Sequence, residues 1–240
     1  MRPAASLATV ISAFCAAALL AGCGSPSAAP ATSSQPATSA TASPGTSSPA
    51  TASSPAATVP AGWKTFTTSD GTLAFDYPES WTITDPAEEP AEGGIAVDLV
   101  SDYGKTMATL RTNIATDAEC TVKFPFMVYD TEPVPALAQG GATPRFVYEG
   151  RTGPETGDPA GSLSLAYGIT SGPEPTGDTA CPISHYFTWP PSGATFGGVY
   201  DPFDTMPGGP QNVDTPEVYM DTTEYKNVKQ AITSLRPAGK

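Results

Sequence analysis

The chain is short of charge, of histidine and of basic residues. Charged residues make up 15% of its 240 positions, where globular chains carry about a quarter. Lysine and arginine number 11 against 24 acids, for a formal net charge of −13. Nucleic acid is therefore not an expected partner, because phosphate binding needs clustered cations. A single histidine, His185, excludes zinc sites built from several imidazoles. There is no GxSxG elbow, SxxK pair, GxxxxGK loop or HExxH helix. No cofactor is expected from what remains, and no motif names an activity.

Long apolar runs are scarce as well. The uncharged run from Leu7 to Leu20 is shorter than the ~20 residues a spanning helix needs. Arg2 precedes it, and the small residues Ala21 and Gly22 follow. That order reads as an export signal over residues 1–22. Leu20-Ala21-Gly22-Cys23 matches the bacterial lipobox, which makes Cys23 the expected lipidation residue. Its thiol is the soft nucleophile that takes a diacylglycerol, and small side chains suit cleavage just before it. Two acyl chains hold stably, at ~0.8 kcal/mol per buried methylene. The competing readings are an ordinary cleaved signal with a chance cysteine, and an uncleaved membrane anchor.

Residues 23–60 read as the lipidated cysteine and a tether. Gly24 to Pro60 holds ten Ser, ten Ala, seven Pro and six Thr, with no charge and no aromatic ring. Such a segment cannot bury enough apolar surface to offset ordering, so disorder is expected. As a coil it would span ~35 Å. The composition also suits O-glycosylation, and an unmodified spacer stays open. The expected location is the outer side of the cell membrane, with the membrane itself a partner through the lipid.

Residues 61–240 read as a single globular domain, since all aromatics except Phe14 lie there. Leu73–Tyr77 and Trp81–Thr84 alternate, joined by Pro78-Glu79-Ser80 as a tight turn. Ile95, Val97 and Leu99 share a face, and residues 106–114 form a further strand with Met107 and Arg111 opposite Ala108 and Leu110. Val122 to Val128 alternates, but Pro125 makes it an edge strand or irregular. Strands over 145–151 and 162–170 follow, and Ile183 to Trp189 is the last the pattern supports. Asp221 and Glu224 have capping-box spacing ahead of a stripe of Tyr225, Val228, Ile232 and Leu235. The fold class expected is α+β: an antiparallel sheet covered by helices, with a C-terminal amphipathic helix.

Two segments carry a family resemblance. Phe75-Asp76-Tyr77-Pro78-Glu79-Ser80-Trp81-Thr82-Ile83 resembles the opening hairpin of PsbP-like domains. Tyr225 to Val228 and Ile232 to Leu235 are similar to that superfamily's closing helix. The superfamily includes the Ran-release factor, and many exported lipoproteins of high-GC Gram-positive bacteria carry such domains. The resemblance implies an α/β/α sandwich and a binding or assembly role. It supplies no catalytic residue.

Loss of Cys15 with the signal and lipidation of Cys23 leave Cys120 and Cys181, which outside the cell pair most simply as a disulfide. A reactive or metal-binding pair is the alternative. His185 shares parity with Ile183, Phe187 and Trp189, which reads as a satisfied packed histidine, with a catalytic base as its rival. Asp85, Glu88, Glu89 and Glu92 read as a solvated loop against a calcium site, and no metal ligand set is assigned. Asp201 and Asp204 flank Phe203 in what reads most simply as a turn with a tucked aromatic, with a calcium or partner loop as the alternative. Trp189, Tyr186 and Phe203 are candidates for a binding groove, because aromatic anchors suit ligand contacts. The expected function is a membrane-anchored, non-enzymatic binding or assembly module whose partner is an envelope protein or a small ligand. A carboxylate-based envelope hydrolase is the alternative.

Overall fold

The computed structural model describes residues 59–116, 120–153 and 163–239. The expected signal, Cys23 and the tether up to residue 58 lie outside these residues, as does most of the loop from Gly153 to Gly161. In chain order the strands are β1 (Trp63–Thr67), β2 (Leu73–Pro78), β3 (Thr82–Thr84), β4 (Ala96–Val100), β5 (Thr106–Thr112) and β6 (Phe124–Pro133). They continue with β7 (Arg145–Thr152), β8 (Leu163–Thr170), β9 (Thr179–Ala180), β10 (Phe187–Trp189) and β11 (Ser192–Tyr200). Helices α1 (Pro216–Asp221) and α2 (Thr223–Thr233) precede a last strand, β12 (Arg236–Pro237).

The strands form a small sheet, β1-β2-β12, and a large one, β3-β4-β5-β11-β8-β7-β6-β9, with β10 beside β11. Every pairing is antiparallel. The molecule is mainly antiparallel β with few helices. Among the described residues, no helix is long and apolar enough to cross a membrane.

Alternation sorts the large sheet into two faces. Leu110, Phe146, Tyr148, Tyr167, Ile169 and Phe196 point inward and are fully buried. Helix α2 lays Tyr225, Val228 and Ile232 against them, and each such side chain contributes about 1.5–3 kcal/mol by leaving water. The small sheet closes the same face, with the Phe75 ring 4.8 Å from that of Phe196. From α1, Tyr219 stacks on Tyr200 at 3.8 Å. The C-terminus is tied to β2 by Arg236, whose Nη2 and Nη1 donate to Asp76 at 2.9 and 3.1 Å. Among the described residues both helices therefore serve this one face.

Several expectations need correction. β2 and β3 do not pair, so no hairpin stands at Pro78: β2 pairs β1 and β12, while β3 pairs β4. The turn there carries the chain from one sheet to the other, with Trp81 N donating to Pro78 O at 3.0 Å. The opening hairpin is β1–β2. The strand over 183–189 is confined to β10, and β11, absent from the sequence reading, is central. Phe203 is not tucked but 58% exposed.

Helix α2 begins differently too. Asp221 ends α1, and Thr222 caps α2, its Oγ1 accepting from Tyr225 N at 3.0 Å. Glu224 turns into the core, where Tyr103 and Tyr219 donate to its two carboxylate oxygens. Thr222→Ala is expected to lose about 1 kcal/mol in a urea titration, while Asp221→Ala stays near wild type. An equal loss from both variants would overturn this cap.

Candidate functional site

The outer face of the large sheet holds the most concentrated chemistry. Along β7, Arg145, Val147, Glu149 and Arg151 alternate with the inward Phe146 and Tyr148, so three charged residues share the outer side of one strand. On a bare sheet they would face water. Here residues 171–186, between β8 and β10, fold back over them.

Four ties hold this loop. Arg145 Nη1 donates to Gly172 O at 2.5 Å. Arg151 Nε donates to Cys181 O at 2.7 Å. His185 Nε2 meets Glu149 Oε1 at 3.0 Å. Cys181 is bonded to Cys120, with Cα atoms 5.4 Å apart. Beside that bond, β9 pairs with Phe124 and Pro125 of β6. His185 can lie this close because β8 offers Gly168 beneath it: a Cβ there would come within 2.9 Å of His185 Nδ1.

The result is a buried charge cluster. The side chains of Glu149, Arg151 and His185 are 8%, 8% and 9% exposed. Glu149 gives one oxygen to His185 and the other to Arg151 Nη1, at 2.9 Å. Burial pushes the Glu149 carboxyl up, but hydrogen bonds from His185 and Arg151 outweigh it and hold the group below its ordinary 4.5. His185 has the satisfied, packed role expected of it, but in a loop rather than a strand, and its partner is a carboxylate.

Between the loop and the sheet lies a pocket of about 360 Å³, lined by Lys123, Arg145, Glu149, Arg151, Thr170 and Glu174 among others. An annex of about 140 Å³ continues past Arg145 and Glu174 to Val128 and Thr131. The larger space reaches the lower range of small-molecule sites. Of the predicted groove residues, none lines either space. Trp189 packs against the core from β10, Tyr186 gives its carbonyl to Ser171 N, and Phe203 stands apart in the turn after β11. The acidic loop instead edges a separate depression, where Glu88 meets Arg111 at 3.2 Å. Among the described residues, no group of three or more His, Cys, Asp or Glu side chains is arranged to hold a metal ion.

Sequence reasoning passed over Arg145, Glu149 and Arg151. The available signal was three charges at period two within an otherwise apolar strand, followed by the chain's one histidine. Comparison with family models, with curated proteins and with solved structures returned no match.

Proposed function

We propose that the chain is an exported, lipid-anchored binding module that holds a small ligand in the pocket beneath the 171–186 loop. The observation carrying this reading is the pocket itself, lined by charged side chains of both signs and walled by a loop tied through Cys181. His185 supports binding over catalysis, because its Nε2 is committed to Glu149 and Glu149 in turn to Arg151. The hydrolase reading draws less support. Glu224, the buried acid beside the depression around Tyr103 and Tyr200, has both oxygens engaged by phenols.

The anchor rests on Leu20-Ala21-Gly22-Cys23 and the uncharged tether behind it. We also read the domain as PsbP-like, on its Tyr77-Pro78 and Trp81 segment, its antiparallel sheet and its terminal helix. Metabolic labelling tests the anchor. Wild type is expected to take up labelled palmitate and to sediment with membranes, and Cys23→Ala to do neither. An unlabelled wild type released into the medium overturns the proposal.

A further inference from the structure

We infer that the chain carries a second ligand site, a cleft at the margin of its core that takes a small organic cation with an apolar body. The cleft is separate from the pocket beneath the 171–186 loop and does not depend on it. It measures about 760 Å³, within the ~300–1,000 Å³ range of small-molecule sites. Residues of both sheets line it. β1 pairs only with β2, and β3 only with β4, so each is the last strand of its sheet. Helix α2 packs mainly on β2, β5, β7 and β8 and leaves this margin less covered.

The floor of the cleft continues the core. Ile83 pairs with the fully buried Leu99 and so shares the inward face. Val97 and, just ahead of β4, Ile95 keep the parity of Leu99. Val97 pairs with Leu110, Leu110 with Phe196, and the Phe196 ring lies against that of Phe75. Phe75 in turn stands 5.3 Å from Phe66 of β1. The registers thus bring Phe66, Ile83, Ile95 and Val97 to one space from two sheets. Phe66, Ile83 and Ile95 pack on the core but stay half-buried. Covering such surface at a concave site is what an apolar ligand gains.

The rim is the acidic loop between β3 and β4. Asp85, Glu88 and Glu89 line the cleft and are exposed. Glu88 is matched by Arg111 at 3.2 Å. Among the described residues, Asp85 and Glu89 enter no ion pair. The far end of the loop is pinned to β5 and its continuation. Asn113 Nδ2 donates to Glu92 O at 2.5 Å, and Ile95 N to Thr112 Oγ1 at 2.9 Å. An apolar floor beneath unmatched carboxylates selects among ligands. An anion is repelled, a neutral molecule gains the floor alone, and a hydrophobic cation gains both.

The probes are 4-phenylbutylamine, 4-phenylbutanol and 4-phenylbutyrate, which share one apolar body and differ in head group. Each is titrated by calorimetry into the full-length protein in nanodiscs, with empty discs as the blank. The amine is expected to saturate and to bind about tenfold more tightly than the alcohol at low salt, about threefold for each unmatched, exposed carboxylate. The butyrate is expected not to bind detectably. Raising salt narrows the gap between amine and alcohol. The Asp85→Asn, Glu89→Gln double variant erases that gap and leaves the affinity of the alcohol unchanged. Glu79→Gln removes an exposed acid outside the cleft and changes nothing. Ser69→Trp fills the cleft from its exposed lip and abolishes binding of both. Absence of a saturable amine signal overturns the inference, as does an amine advantage that survives the double variant. Equal affinity in wild type and Ser69→Trp also overturns it, by placing the ligand elsewhere.

Discussion

Glu149→Ala is expected to destabilise the folded domain by about 3 kcal/mol, read from chemical denaturation at neutral pH. Breaking a buried ion pair costs about 3–5 kcal/mol, because the surviving charge is left in low dielectric without its partner. The survivor here is Arg151, which cannot shed its proton. It keeps the carbonyls of Cys181 and Gly150, at 2.7 and 3.0 Å, and for that reason the lower end of the range applies. Glu149→Gln retains an acceptor and a similar volume, so it should lose less.

Acid separates the electrostatic part from the packing. The fold holds the Glu149 carboxyl below its ordinary 4.5, so the native state favours the ionised form. Its contribution is therefore complete above the unfolded value and is lost as pH falls through the lower, folded one. Wild type should forfeit its advantage over Glu149→Gln on acidification below about pH 4.5. A stability gap between the two that stays constant from neutral pH into that acid range would sink the ion-pair account. The loss also bears on the pocket, because Glu149 holds both His185 and Arg151, and through them the covering loop.

The parts of this fold legible in the sequence are those where one local pattern decides the outcome. β8 alternates cleanly, and Leu165, Tyr167 and Ile169 are all buried. The stripe of α2 is buried at every expected position, including Leu235 just past its end. β11 was illegible because it runs Ser-Gly-Ala-Thr-Phe-Gly-Gly-Val-Tyr, and glycine weakens strand propensity. Its glycines answer to neighbours instead. A Cβ on Gly197 would stand 2.4 Å from Tyr167 O, and one on Gly198 2.2 Å from Met107 O. Such close approach belongs to the sheet and has no local signature. The candidate site failed to show for a related reason. Arg145, Glu149 and Arg151 look like a solvent face until a loop from residues 171–186 covers them, and alternation says nothing about coverage. Aromatic density between Tyr186 and Phe203 misled in the opposite direction, since closeness in sequence placed Trp189 and Phe203 in different surroundings.

The Cys120→Ser, Cys181→Ser double variant is expected to lose about 4 kcal/mol of stability. Closing a loop across a separation of 61 positions restricts the unfolded chain by about that amount on the chain-entropy account. Domains of this size rest on only about 5–15 kcal/mol in total. A second effect is local. β9 is two residues long and pairs with only Phe124 and Pro125, so without the disulfide the segment around Cys181 is held by that short ladder and the Arg151 contact to Cys181 O, with Arg145 and His185 tying the loop's two ends. Amide exchange distinguishes the two effects. The global loss speeds every amide that exchanges through complete unfolding by a common factor, in β5 and β8 alike. Local opening adds to this only in residues 171–186 and at the start of β6, through partial unfolding of lower free energy. The oxidised protein should show neither. If the double variant unfolds at the wild-type denaturant midpoint and its loop amides exchange no faster, then the bond neither restrains the chain nor holds the wall, and the pocket must owe its shape to the Glu149 cluster, the Arg145 tie and the β9 pairing.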